Sequence, residues 1–233
     1  MAKVNADPRI SVNKLGEYIV AKAARQARII RDQKYPPDYI TAYYRDAQEA
    51  ISQYIGCGMA DQSILEKKIL VLGQKVPGNV QESRRLTGNI DAIERFMNLV
   101  DDIDLFGATA QLGSQQPQTL KIRNVDISVR PEVVLTAKGA KGKPIIGGIK
   151  LHFPATSALS EDAAGYISAA TQEFFRWFHH DDGSADPRLS FVIDVGGGKV
   201  HQGVKSYKQR LKDIEAACEQ IATLWPNVKP PSD

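Results

Sequence analysis

Residues 125–153 constrain this chain most. They read as two strands, VDISVRPEVVLTA and PIIGGIKLHF, joined by the Gly- and Lys-rich turn KGAKGK. Both runs are apolar enough to be buried in a sheet, yet Glu132 interrupts the first and Lys150 the second. A charge inside a buried strand is costly unless it is paired, hydrated in a cleft or bound to a metal. The hairpin therefore requires a sheet covered on at least one face, and Glu132 and Lys150 become the leading candidates for a functional site.

The sequence around the hairpin changes texture. Before residue 105, apolar positions recur at helical spacing. Ser11 can cap a helix over about 12–34, and Asp38 opens a second running to about Ile55. Asp61 or Ser63 starts a third that ends near Pro77-Gly78, and a fourth spans about 80–100. Residues 107–118, GATAQLGSQQPQ, are polar and rich in breakers and read as a linker. Strands follow. LKIRNVDISVRPEVVLTA reads as one long strand or as two, because Pro131 lacks a ladder donor. A helix over 161–179, capped by Ser160, ends at the polar turn HHDDGSADP. A hairpin of LSFVIDV and KVHQGV around GGG then leads to a last helix over about 206–224. Segregated helices followed by strand-strand-helix-strand-strand-helix indicate an α+β (mixed α/β) protein. The expected organisation is a helical region at 10–105 and a β-β-α-β-β-α core at 119–226, forming one compact unit.

Composition narrows the function classes modestly. The net charge is +3 over 233 residues, which is compatible with an anionic partner and does not demand one. Lys22, Arg25, Arg28, Arg31 and Lys34 recur every three residues, a stripe that could follow a nucleic-acid backbone or simply face solvent. Cys57 and Cys218 lack metal-ligand spacing and read as reduced thiols. There is no long apolar run and no signal-like N-terminus, so the expectation is a soluble, cytoplasmic protein with no membrane partner.

The order VRPEVVL, turn, GGIKLHF resembles the PD-(D/E)XK nuclease superfamily, especially its RecB-like and CRISPR-associated exonuclease branch. The opening segment SVNKLGEYI, followed by the basic ARQARIIR, is similar to the start of that branch. The resemblance lies in element order rather than identity and covers about residues 10–225. It implies a restriction-endonuclease-like sheet and a DNA-acting, Mg²⁺- or Mn²⁺-dependent nuclease in a defence or phage-related system. By this resemblance Glu132 would bind metal, and Lys150 would orient water or stabilise the phosphorane charge. Arg25, Arg28 and Arg31 would hold the nucleic-acid backbone. His152, on the same sheet face as Lys150 and Gly148, reads as a nucleic-acid phosphate or metal contact or as a half-exposed strand histidine with no such role.

The family pattern departs at Gly148, where a second acid is expected. Asp126, Glu49 and Glu94 are candidates to replace it. The usual glutamine-tyrosine signature after the lysine is matched only by Tyr166 and Gln172, in reversed order. The alternative is a catalytically inactive nuclease-like module that binds nucleic acid or a partner protein in a larger complex; an unrelated α+β interaction protein is a third reading. Glu132 and Lys150 also admit a plain reading as a cross-strand ion pair. Asp194 before GGG reads as a strand-end residue beside a hairpin turn. His179-His180 reads as a polar helix end, and His201 has no visible partner.

Overall fold

The computed structural model describes residues 4–36 and 43–231. Its main sheet has five strands in the order β2-β5-β6-β7-β8: β2 (Thr109–Leu112), β5 (Val133–Lys138), β6 (Pro144–His152), β7 (Ser184–Asp194) and β8 (Lys199–His201). A small three-stranded sheet, β1-β4-β3, is built from β1 (Arg9–Ser11), β3 (Leu120–Ile122) and β4 (Val125–Ser128). Seven α-helices occur among the described residues, and the class is α+β. None of those helices is long and apolar enough to cross a membrane.

Strand alternation explains the layering. Val133, Leu135, Ile149, Leu151, Phe191 and Ile193 point to one face of the main sheet, and they share a core with α3 (Arg45–Gly56), α4 (Ser63–Gly73) and α5 (Val80–Met97). Ile146 and Val192 point to the other face. There they join α1 (Val12–Val20), α2 (Ala23–Lys34), α6 (Glu161–Phe178), α7 (Tyr207–Leu224) and the small sheet. The helices before residue 105 are thus shared between the two faces. Strands β5 and β6 form the antiparallel hairpin, while β6 and β7 are parallel and need the α6 crossover between them.

Several boundaries differ from the sequence expectations, each for a physical reason. The 12–34 helix is broken at Ala21-Lys22, where both residues are extended. An unbroken 23-residue helix would run about 35 Å and carry its second half off the sheet. The break folds α2 back onto β1, and the corner is held by Gln26 Nε2 donating to Tyr18 O and by Arg25 bonding Glu17. At the α1–α6 crossing, a Cβ on Gly16 would lie 2.6 Å from Ala163 O, so only glycine permits this approach. The expected start of the second helix at Asp38 lies outside the described residues, and α3 begins at Arg45.

The 107–118 segment is not a free linker, because Thr109–Leu112 form the edge strand β2 against β5. The long 120–137 run is three strands. Pro131 stands where the chain leaves β4 of the small sheet to begin β5 of the large one. Part of the expected polar turn, Ser184–Pro187, belongs to β7. The β6–β7 register shifts between Ile146 and Gly148, and this irregularity absorbs the proline.

Candidate functional site

Glu132 and Lys150 meet. Lys150 Nζ lies 2.5 Å from Glu132 Oε1, and the two side chains are only 11% and 5% exposed. The last β5–β6 register pair is Val133↔Ile149, so the two residues face each other just where β5 leaves the ladder. Two further donors reach the carboxylate. Gln48 Nε2, from the first turn of α3, donates to Oε1 at 2.7 Å, and the Leu151 amide donates to Oε2 at 2.8 Å. One buried carboxylate thus holds an ammonium, an amide side chain and a backbone N–H, binding α3 to the end of the sheet. Desolvation makes such a pair costly to form and more costly to break.

The space expected for a second acid is filled. A Cβ at Gly148 would lie 2.8 Å from both Phe175 Cζ and Val133 O. The ring of α6 has closed onto the strand, and glycine at 148 is what allows it. Of the candidate replacements only Glu49 shares a cleft with Glu132. Asp126 is on β4 of the small sheet, facing Lys121. Glu94 is exposed on α5. Glu49 lines the same cleft as Glu132, a space of about 290 Å³ also bordered by Gln115 and Arg130, but it is paired with Arg45 at 2.9 Å. Among the described residues no group of three or more His, Cys, Asp or Glu side chains is placed to hold a metal ion. Mg²⁺ and Mn²⁺ take oxygen ligands in open octahedral sites. Glu132 meets a cation and two further N–H donors where such an ion would need open oxygen ligands, so the residues at this point fit either ion poorly.

His152 follows Lys150 on the same strand face but is 5% exposed. Its Nε2 is 2.8 Å from Ser157 O, which makes Nε2 the protonated nitrogen. Burial depresses its proton affinity, opposed by the Ser157 carbonyl and by Asp194. The ring is a strut for the 153–159 loop and offers little surface to a phosphate. Asp194, its register partner, is buried and accepts from the Leu159 and Gly197 amides, so it organises the same loop and the GGG turn. Tyr166 bonds Asp213, and Gln172 bonds Ser168 and Val204 O inside the fold. The arginines of α2 stand apart from the Glu132–Lys150 pair. Arg25 is bound to Glu17, and Arg28 and Arg31 both face Asp32 at 3.7 and 3.6 Å.

A second concavity lies beside the first. A cleft of about 410 Å³ is bordered by Tyr43, Tyr44, Arg84, Asp91, Arg95 and Phe153. Tyr44 stacks on Phe153 with centroids 5.2 Å apart and planes 15° from parallel, while Tyr43 meets Tyr44 edge-on at 4.8 Å. Sequence reasoning missed this site. The adjacent Tyr43-Tyr44 pair was its only visible sign, and Phe153 joins it only through the fold. Gln48 was missed as well, since nothing in the spacing of a polar helix residue announces a buried partner 84 positions away.

No protein-family model matches the chain, and no curated protein matches its sequence.

Proposed function

We propose that this chain is a nuclease-like module without a metal centre, which holds nucleic acid and does not cut it. One observation carries the reading: the Glu132 carboxylate is held by Lys150, Gln48 and the Leu151 amide while Phe175 fills the place where the resemblance expects a second acid. The element order supports the kinship to PD-(D/E)XK proteins. An acid at the start of a strand, a hairpin, a lysine-bearing strand, a helix and a further strand correspond to Glu132 just before β5, then β5, β6, α6 and β7. In this reading the acid-and-lysine pair is retained as a structural clamp. Exposed cations near the same end of the sheet, Arg130 beside the first cleft and Arg84 and Arg95 beside the second, supply the attraction to phosphate.

The test is a paired assay of the purified chain with labelled DNA. The expected result is salt-sensitive association that survives EDTA, with no cleavage in Mg²⁺ or Mn²⁺. Metal-dependent cleavage that disappears in a folded Lys150→Ala variant would restore the nuclease reading. Absence of any nucleic-acid association would remove this one and leave an interaction protein, to be sought as a stable complex in pull-downs.

A further inference from the structure

We infer that the Tyr43–Tyr44–Phe153 cleft is a binding site for an unpaired base of single-stranded nucleic acid, with Arg84 and Arg95 on its flanking phosphates. The inference rests on the nucleic-acid reading above and adds the strand state and the residues. The cleft opens where β6 and β7, the parallel pair, reach their carboxyl ends: Phe153 follows β6, and Val195 and Gly196 follow β7. Its volume of about 410 Å³ lies in the range of small-ligand clefts.

Its wall is aromatic and its rim is cationic. Tyr43 is 41% exposed and stands edge-on to Tyr44 at the solvent side of the Tyr44–Phe153 stack. Arg84 makes no side-chain hydrogen bond or ion pair among the described residues, and Arg95 gives one N–H to Gly196 O at 3.2 Å. A guanidinium has five N–H donors, so both retain capacity for phosphate. Ser83 and Thr87 add hydroxyls along the same helix face. Asp91 is the one acid on the cleft among the described residues and sets a limit on how many phosphates can lie there.

The wall is also preorganised. Asn89 is fully buried on α5, accepts from the Ala47 amide at 2.8 Å and donates to Tyr43 O at 2.6 Å and Arg85 O at 2.7 Å. It pins the first turn of α3 and the tyrosines before it. Gly88 leaves room for the Tyr43 ring, since a Cβ there would be 2.7 Å from Tyr43 Cε1. An open cleft with aromatic faces and free cations suits a strand whose bases expose their π-faces, whereas a duplex keeps those faces stacked.

The experiment is fluorescence anisotropy with a labelled 12-nucleotide oligo-dT, an oligo-U of the same length and a matching DNA duplex, at two salt concentrations. The expected result is tighter binding of the single strands than of the duplex. Tyr43→Leu should weaken single-strand binding about tenfold while Tyr43→Phe retains it. Arg84→Ala should flatten the salt dependence by about one phosphate contact. Thermal unfolding of each variant checks that the fold is kept. Single-strand binding unchanged in a folded Tyr43→Leu and in Arg84→Ala, or duplex bound as tightly as single strand, overturns the inference while the nucleic-acid reading stands. No binding of any of the three probes overturns both.

Discussion

The two concavities at the end of the sheet share one helical turn and differ in almost everything else. Gln48 and Tyr44 sit one turn apart at the start of α3. The first reaches Glu132 and the second stacks on Phe153. Around Glu132 the carboxylate takes donors from Lys150, Gln48 and the Leu151 amide, and the space a side chain at 148 would need is occupied by Phe175. Around Tyr43 the rings are half open and one arginine is unengaged among the described residues. A saturated polar cluster is a structural joint; an unsaturated one beside an open cleft has capacity left for a ligand. The comparison teaches that residue types suggesting chemistry can be absorbed by the fold, while a pair of tyrosines with no motif can be left available.

The largest expected effect breaks the joint. Lys150→Met leaves a buried carboxylate without its cation and should cost about 3–5 kcal/mol in chemical denaturation. Adding Glu132→Gln should recover much of that loss, because the uncompensated charge is then gone. A single-variant cost near zero would mean the pair is solvated and the contrast false.

Next is Gly148→Asp, which puts an acid where the resemblance to nucleases expects one. Its Cβ would stand 2.8 Å from Phe175 and from the Val133 carbonyl. Overpacking of this kind typically costs about 1–3 kcal/mol, and the variant should be less stable and still inactive in Mn²⁺. Stable folding with gained metal-dependent cleavage would show that the site is only one residue short of a nuclease.

Asn89→Ala sharpens the other side. It leaves the Ala47 amide and the Tyr43 carbonyl without their partner, a loss of about 1–3 kcal/mol, and it should weaken single-strand binding more than its stability cost explains. Comparison of denaturation midpoints with anisotropy at a temperature where the variant is folded measures this.

The smallest effect is in pH. Burial lowers the proton affinities of His152 and His201, so the unfolded chain takes up protons first as pH falls. Their contribution to stability is complete above about pH 6.5, the ordinary histidine value, and is lost as pH drops through the depressed folded values. His152→Gln should flatten that decline in thermal unfolding. Binding at the tyrosine cleft, whose lining has no histidine, should stay constant over the same window.

Much of the fold was legible because it depends on local periodicity. Ser11 and Ser160 cap α1 and α6 as their positions suggest, and α5 and α7 follow their apolar stripes. The β5–β6 hairpin follows from a strand period of two around a short turn. The break in the first helix was not legible: Tyr18 and Ile29 are eleven residues apart and would share a face on an unbroken helix. Nor was β2, since a polar edge strand has little pattern of its own and is made a strand by its partner.

The candidate site divides in the same way. Sequence alone determined that an acid and a base lie on the two arms of one hairpin, because a strand period of two and a short turn are local features; the register that brings them together came from the structure. Only the tertiary structure decided that the pair is a closed clamp, that Phe175 occupies the space beside Gly148, and that Phe153 completes an aromatic wall with Tyr43 and Tyr44. Those outcomes depend on which side chains from distant segments reach the same volume, and close packing, unlike periodicity, is settled only when the whole chain is assembled.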